Sequence, residues 1–269
     1  MAAAAANADC CEIRESENMT NTMPARRDPK SQAKLETNIV RASWDRCNKE
    51  YGLRKDLQVP VCRLPDESVE EARQPMEEIL AEAAPVVEGV RNSARDANYC
   101  VLLCDSNGTV IESYADSSAS RELAEFGLTR GAHWNEKIVG TNGVGTSIVA
   151  RSPISICGHN HYNQSLHGFN CCAAPFFAPD GSLLGVLDVS GRASHEGSEY
   201  IFAEHFVREA ASKINRMLFR KWHRGDRIVA LAEDPSGLDF SPRAMIAAND
   251  SGQIIGATRE ALKLLGVAE

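Results

Sequence analysis

The sequence predicts an α+β fold in which a central antiparallel sheet is flanked by helices. Strand-like runs separated by turn residues occupy the middle of the chain, between about Tyr99 and Val189. Amphipathic helical patterns precede and follow that stretch. Because the strand and helix patterns are segregated and do not alternate, an antiparallel sheet is favoured over a parallel one.

The first part of the chain predicts disorder followed by helices. Residues 1–34 are rich in Ala, Asn, Glu, Arg and Pro without apolar periodicity, so they cannot bury enough surface to offset the entropy of ordering. A helix is predicted to end near Tyr51, where Gly52 provides a C-terminal cap. A second helix is predicted from Ser68 to Asn92, with an acidic first turn and two prolines that kink or split it. Residues 35–97 therefore form a predicted helical segment.

The middle of the chain predicts five strands and two short helices. A hairpin turns at Asn107-Gly108, a pair that tolerates positive φ, and a second turn lies at Pro179-Asp180-Gly181. The predicted strands are 99–104, 109–114, 154–157, 173–178 and 183–189, and the predicted short helices are 118–126 and 143–149.

The last part of the chain predicts a long helix and the start of another unit. Residues 198–221 carry an apolar stripe that packs either on the sheet or on a partner copy, and packing on the sheet is the simpler interpretation. Strand patterns at 228–232 and 244–248 and a helix at 258–265 follow. We interpret residues 98–222 as one domain and residues 223–269 as a linker and the opening of a second small domain.

Composition narrows the functional classes. The formal net charge is −8 and the isoelectric point is near 5.5, which argues against direct binding to nucleic acid. No run of about 18 apolar residues predicts a membrane span. Nine cysteines without a regular framework are typical of reduced thiols, so we expect a cytoplasmic protein.

Cysteines and histidines are the candidate residues for metal binding or ligand binding. Cys157, His159 and His161 alternate and would share one face if the strand continued through them. His167, Cys171 and Cys172 follow closely. Such residues can hold zinc or iron, or they can line a pocket whose imidazoles orient a hydroxyl or carbonyl group.

Three other features of the sequence each allow two interpretations. The Gly-rich stretch Gly140–Thr146 has no following Lys, so we interpret it as the shaped entry to a helix and not as a phosphate-binding loop. Trp134 is either a core residue or a wall of a ligand pocket. Asp188 is either a pocket acid or an acceptor for backbone N–H groups.

Several stretches in a fixed order resemble the GAF domain of sigma-54-dependent activators of the acetoin-catabolism regulator type. They are Trp134–Thr146, Gly158–Tyr162, Cys171–Pro175 and Asp180–Gly191. Upstream, Ala42–Cys47 resembles the segment that precedes such domains, and downstream Arg243–Gly266 resembles the start of a PAS domain. One departure is Asn160, which stands where these proteins usually carry Glu, and we expect the loss of a carboxylate to change the polarity of the pocket.

The resemblance implies a sensory region and not an enzyme. It implies binding of a small organic effector (an alcohol, diol or ketone), a homodimer formed through the helices near Val40–Tyr51 and Phe202–Leu218, and control of a downstream AAA+ ATPase and DNA-binding domain. No Walker motif occurs in this sequence. The expected ligand-binding residues are Trp134, Thr141, Asn142, Cys157, His161, His167, Cys171 and Cys172.

Two alternatives remain open at this point. In the first, Cys157, His161 and Cys171 or Cys172 hold a metal ion in a metal or redox sensor. In the second, Cys171 or Cys172 is the nucleophile of a thiol enzyme, which requires a neighbouring base to lower the pKa of the thiol.

Overall fold

The computed structural model describes residues 29–56, 62–95, 99–115, 120–193, 199–232 and 243–267. Most of the segment predicted to be disordered, 1–34, lies outside these ranges. Its last six residues are helical, because helix α1 spans Pro29–Lys49. The first helix therefore begins earlier than predicted, at a proline, whose fixed φ suits a first helical turn.

The helix predicted from Ser68 to Asn92 is interrupted. Helix α2 spans Asp66–Arg73, a 3₁₀ turn covers Gln74–Met76, and helix α3 spans Glu77–Arg95. Pro75 lies in the 3₁₀ turn directly after α2, where its missing N–H interrupts the hydrogen-bond ladder that the backbone N–H of Gln74 still continues to Glu70. Pro85 remains inside α3, so only one of the two prolines splits the segment.

A five-stranded antiparallel sheet forms the centre of the structure, in the order β2-β1-β5-β4-β3. The strands are β1 (Cys100–Asp105), β2 (Val110–Tyr114), β3 (Ile154–Cys157), β4 (Phe169–Phe177) and β5 (Leu183–Arg192). Strand β4 begins four residues before its predicted start at 173, and all of its residues are buried. Strands buried on both faces show no polar alternation, so their ends are hard to read from sequence.

The two faces of the sheet belong to different cores. Helices α3 and α7 (Glu199–Trp222) cover one face, where Cys172, Phe176 and Leu187 are buried with Ile214 of α7. Short helices and loops cover the other face. Because side chains alternate along a strand, consecutive residues of β4 enter opposite cores.

The second face carries α4 (Ser120–Glu125), α5 (Glu136–Val139) and α6 (Gly143–Ala150). The N-cap of α6 is Asn142, whose side chain accepts a hydrogen bond from the backbone of Gly145. Helix α1 packs against α5 and α6.

A second, three-stranded antiparallel sheet follows α7, in the order β6-β7-β8. Its elements are β6 (Arg227–Leu231), β7 (Ala244–Ala248), β8 (Ile254–Ala257) and helix α8 (Arg259–Leu264). The sequence did not predict β8, whose two isoleucines, Ile254 and Ile255, are exposed. Within the described ranges, the helices are too short or too polar to cross a membrane.

Candidate functional site

A small cavity lies on the face of the sheet opposite α3 and α7. Its volume is about 10 Å³, which is room for about one water molecule. This is far below the roughly 300–1,000 Å³ typical of ligand pockets. The lining residues are Phe126, Leu128, Trp134, Leu166, Phe169 and Cys171.

An aromatic pair and an arginine form one edge of the cavity. The ring centroids of Phe126 and Phe169 are 4.8 Å apart. The guanidinium group of Arg192 lies 4.7 Å from the first centroid and 4.9 Å from the second. Cation–π attraction therefore holds a charged side chain against the aromatic edge.

Trp134 is both a core residue and a wall of the cavity. Its side chain is buried, its indole N–H donates to the carbonyl oxygen of Gly127 at 3.0 Å, and its backbone N–H donates to Gly108 at 2.8 Å. The single polar atom of the indole is therefore already used. What the ring presents to the cavity is apolar surface.

His161 and Cys171 form a buried neutral pair. The Nδ1 atom of His161 lies 2.9 Å from the carbonyl oxygen of Gly158, which can only accept, so Nδ1 carries the proton. Its Nε2 atom lies 3.4 Å from the Sγ atom of Cys171, whose thiol donates. Burial lowers the pKa of His161 to about 4 and raises the pKa of Cys171 well above its ordinary value.

This pair does not have the charge state of a catalytic thiolate. A nucleophilic cysteine needs a lowered pKa and a positively charged or basic neighbour. Here burial favours the neutral thiol and the neutral imidazole. Burial also raises the pKa of Cys172, so both candidate nucleophiles favour the neutral thiol.

Asp188 is a buried acid beside this pair. The Oγ atom of Ser190 donates to its Oδ2 atom at 2.6 Å, whereas Oδ1 has no hydrogen-bond partner among the described residues. Burial raises the pKa of Asp188 to about 7. A Cβ atom placed on Gly143 would lie 2.8 Å from Oδ1 and 2.9 Å from the Cβ atom of Cys171. The carboxyl group therefore lies against the start of α6, and the described contacts include no backbone N–H that it caps.

Thr141 and Asn142 shape the loop beside the cavity and do not line it. The hydroxyl of Thr141 lies 2.7 Å from that of Ser43 in α1. The Nδ2 atom of Asn142 donates to the carbonyl oxygens of Gly140 at 2.8 Å and Trp134 at 3.2 Å. Both side chains use their hydrogen bonds within the protein.

Cys157 and Cys172 lie on the opposite face of the sheet from Cys171. In the register of β3 and β4, Cys157 is opposite Asn170, and Ser155 is opposite Cys172. Cys172 packs in the core beneath α7. Burial raises the pKa of Cys157 to about 12.

The predicted shared face of Cys157, His159 and His161 is wrong. Strand β3 ends at Cys157, and a 3₁₀ turn over Gly158–Asn160 follows, so the alternation stops. His159 instead makes an edge-to-face contact with His167, with ring centroids 4.5 Å apart, and His167 does not line the cavity.

The geometry does not support the predicted metal alternative. Its ligands, Cys157, His161 and Cys171 or Cys172, are divided between the two faces of the sheet. In the described part of the chain, no three Cys, His, Asp or Glu side chains are grouped as metal ligands.

Asn160, which stands where the related proteins usually carry Glu, does not affect the polarity of the pocket as expected. Asn160 is exposed, and its backbone carbonyl accepts a hydrogen bond from the indole N–H of Trp44 at 2.9 Å. Its side chain does not line the cavity. The polarity of the cavity is therefore independent of this residue.

The sequence did not reveal a buried ion pair that connects α1 to α5, the short helix that follows Trp134. The side chain of Glu136 is fully buried, and Arg46 donates to its two carboxylate oxygens at 2.8 and 3.1 Å. Ser43 donates to the same carboxylate at 2.7 Å. Both partners lie in stretches that carry the family resemblance, but nothing in the sequence pairs them.

Comparisons with known proteins agree with this architecture. The family model described as "MimR, N-terminal domain" matches residues 20–215. The acetoin catabolism regulatory protein of Cupriavidus necator is 27% identical over 84% of this chain and 34% of its own length. The acetoin dehydrogenase operon transcriptional activator AcoR of Bacillus subtilis is 32% identical over 59% of this chain and 26% of its own length.

A solved structure supports the fold. The crystal structure of the Escherichia coli DhaR(N)–DhaL complex contains a chain with a TM-score of 0.60 and 14% identity, covering 86% of this chain and 76% of that one. The predicted α+β, GAF-like fold with a central antiparallel sheet is thus confirmed. The relatives also confirm the resemblance to transcriptional activators of the acetoin-catabolism regulator type. The chain spans about a third or less of the length of these relatives.

Proposed function

Because the chain belongs to the family of MimR N-terminal domains, we propose that it is the sensory region of a sigma-54-dependent transcription activator. In this proposal, the small cavity beside Trp134 widens to receive a small organic effector of the alcohol, diol or ketone type. The observation that carries this proposal is the position of the cavity. It lies on one face of the five-stranded sheet, and α7, which leads to the second sheet, packs on the other face.

Strand β4 connects the cavity to that helix. Its residues Phe169 and Cys171 line the cavity, and at its end the backbone N–H of Phe177 donates to the Oδ1 atom of Asn215 in α7 at 2.8 Å. A displacement of β4 by an effector therefore acts directly on α7.

Helix α7 joins two cores through consecutive residues. Leu218 is buried beneath the five-stranded sheet, and Phe219 is buried with Met245 and Ala247 of the second sheet. A continuous helix resists bending, so a shift at one core moves the packing at the other. This arrangement suits a device in which effector binding biases the position of the second unit.

The proposal also includes a wider assignment, which the resemblance to the family suggests. A homodimer, a cytoplasmic location, an AAA+ ATPase and a DNA-binding domain that act with this region, and a PAS-like identity for residues 223–269 all belong to the same proposal. The apolar stripe of α7 does not support dimerisation by itself, because Ala210, Ile214 and Leu218 are buried within the chain.

The test combines binding with a structural readout. Calorimetric titration of the whole chain with small alcohols, diols and ketones should detect binding of at least one compound. Hydrogen exchange should then change in α7 and in β7, not only in β4. In Phe219→Ala, we expect binding to persist while the response of β7 is lost. No heat with any compound, or a response confined to the cavity, contradicts the proposal.

A further inference from the structure

A second and much larger cavity lies between the end of β4 and helix α8, and we infer that it binds a small organic carboxylate. Its volume is about 360 Å³, within the roughly 300–1,000 Å³ typical of ligand pockets, and it is partly open to solvent. Its wall is formed by the residue after α6, the turn between β4 and β5 (residues 178–182), one side of α7 and the first turns of α8. The proposed function does not use this cavity, so the two proposals are independent.

Two arginine side chains meet at one aromatic ring in the wall of this cavity. The guanidinium groups of Arg151, directly after α6, and Arg259, in the first turn of α8, lie 4.9 and 4.6 Å from the ring centroid of Phe177. Cation–π attraction holds both groups against the ring. The two cations are therefore within about 10 Å of each other, and their charges repel. An anion bound beside them reduces this repulsion.

Arg151 is positioned to hold such an anion. Its Nη2 atom donates to the carbonyl oxygen of Gly181 in the turn between β4 and β5, which fixes the side chain at the cavity. Among the described residues, no carboxylate forms an ion pair with Arg151. A guanidinium group has five N–H donors in a planar fork that matches the two oxygens of a carboxylate. The remaining donors of Arg151 are therefore available to a ligand.

Asn215 of α7 adds an amide donor to the same cavity. Its Oδ1 atom accepts a hydrogen bond from the backbone N–H of Phe177 at 2.8 Å, which fixes the orientation of the amide. Its Nδ2 atom makes no hydrogen bond among the described residues. The NH₂ group is therefore able to donate to an oxygen of the ligand.

The two acidic residues of the lining are engaged elsewhere, and they limit the charge of the ligand. The Oδ1 atom of Asp180 accepts from the backbone N–H of Ser182 at 2.8 Å, within the turn. Glu260 interacts electrostatically with Arg216 of α7. Because the lining still holds as many acids as arginines, a ligand with one negative charge is favoured over a phosphate with two.

Apolar side chains complete the wall and favour a ligand with a hydrocarbon body. Phe177, Phe219 and Leu262 line the cavity. At about 30 Å³ for each water-sized group, 360 Å³ accommodates roughly twelve heavy atoms. The inferred ligand is therefore a singly charged carboxylate with a compact apolar body, which pairs apolar walls with a few polar anchors.

The experiment compares probes that separate charge from shape. Calorimetry measures the affinity of the whole chain for benzoate, benzamide, acetate and inorganic phosphate at constant ionic strength. Benzamide has the shape of benzoate without its charge, acetate has the charge without the ring, and phosphate carries additional charge. We expect benzoate to bind most tightly and each of the other three to bind at least tenfold more weakly.

Three substitutions locate the site. Arg151→Gln removes the cation, and Asn215→Asp keeps the acceptor for Phe177 but replaces the amide donor with a negative charge. We expect each to weaken benzoate binding by at least tenfold. Arg91→Gln is the matched control, because Arg91 also lies over an aromatic ring, that of Tyr114 at 5.3 Å, but outside the cavity; it should leave binding within about twofold. Thermal unfolding shows whether each variant is folded.

The outcomes separate this inference from the proposed function. Because the cavity wall comes from both units, bound benzoate should also slow hydrogen exchange in α8. If benzamide or acetate binds as tightly as benzoate, recognition of a charged group on an apolar body is refuted, and tighter binding of phosphate refutes the carboxylate class. Equal weakening by Arg91→Gln refutes the location. Absence of benzoate binding overturns the inference and leaves the proposed effector site beside Trp134 standing.

Discussion

Two buried groups beside Cys171, the acid Asp188 and the imidazole of His161, contribute to the stability of this protein with opposite dependences on pH. Burial raises the pKa of Asp188 from an ordinary 3.8 to about 7 and lowers the pKa of His161 from 6.5 to about 4. Between about pH 4 and pH 7, the unfolded chain loses the proton of Asp188 while the folded protein keeps it. The contribution of Asp188 to stability therefore falls as the pH rises.

His161 acts in the other direction. Between about pH 4 and pH 6.5, the unfolded chain binds a proton at this imidazole and the folded protein does not. The folded state therefore gains stability from His161 as the pH rises. Below about pH 4, both states are protonated there, and the penalty of charging the buried imidazole is complete.

The magnitudes nearly cancel over the shared range. A shift of about three pKa units at Asp188 corresponds to about 4 kcal/mol, and a shift of about 2.5 units at His161 corresponds to about 3 kcal/mol. From about pH 4 to pH 6.5, these two groups together leave the free energy of unfolding almost unchanged. Their effects become visible only when one of them is removed.

The assay is urea unfolding followed by tryptophan fluorescence from about pH 4 to pH 8. Relative to the wild type, the free energy of unfolding of Asp188→Asn should rise by about 4 kcal/mol between pH 4 and pH 7 and then level off. That of His161→Gln should fall by about 3 kcal/mol between pH 4 and pH 6.5. Asp250→Asn, at an exposed turn, is the control for loss of one carboxylate.

Only the change with pH is diagnostic, because each substitution also alters packing by a constant amount. If both variants track the wild type at every pH, neither group is titrating differently in the two states. If the two differences change in the same direction, the assignment of opposite effects to the acid and the imidazole is wrong.

Three further predictions follow from the described contacts. Gly143→Ala should lower the free energy of unfolding by about 1–3 kcal/mol, because its Cβ atom would press on the neighbouring strands, whereas Gly89→Ala, with open space around it, should raise it by about 0.5–1 kcal/mol in the same urea assay. Arg46→Ala should cost about 3 kcal/mol, since it leaves the carboxylate of Glu136 buried without its cation, and faster proteolysis within α1 should accompany the loss. With the two cysteines before residue 29 replaced by serine, Cys62 should react with a thiol reagent far ahead of the buried thiols; a second equally fast thiol in the native protein would contradict this.

The sequence predicted most elements of the fold because their patterns are local. Turn residues bound the hairpin at Asn107-Gly108, and apolar alternation or periodicity marks most strands and helices. Where a pattern is weak, prediction failed: β4 starts at Phe169 within a continuously buried run, and β8 consists of four residues. Neither segment has the alternation that identifies a half-exposed strand.

The site was predicted less completely because it depends on faces and on distant partners. Cys171 and Cys172 are adjacent in sequence, and only the register of β4 shows that they enter different cores. The position of His161 depends on the turn that ends β3. The pairing of Arg46 with Glu136 joins residues 90 positions apart, and no local pattern reveals such a contact.

The ion pair that the sequence did not reveal gives the proposed signal a second route to α7. Glu136 lies two residues after Trp134 and is held by Arg46 of α1. In the N-terminal half of α1, Glu36 forms an ion pair with Arg208 of α7 at 2.6 Å. In the proposed function, an effector that displaces Trp134 and the nearby Glu136 therefore moves α7 through α1 as well as through β4. Because the two routes reach α7 at different turns, together they favour a displacement of the whole helix as a rigid body. The packing of Phe219 in the second core can pass such a displacement on to the second sheet.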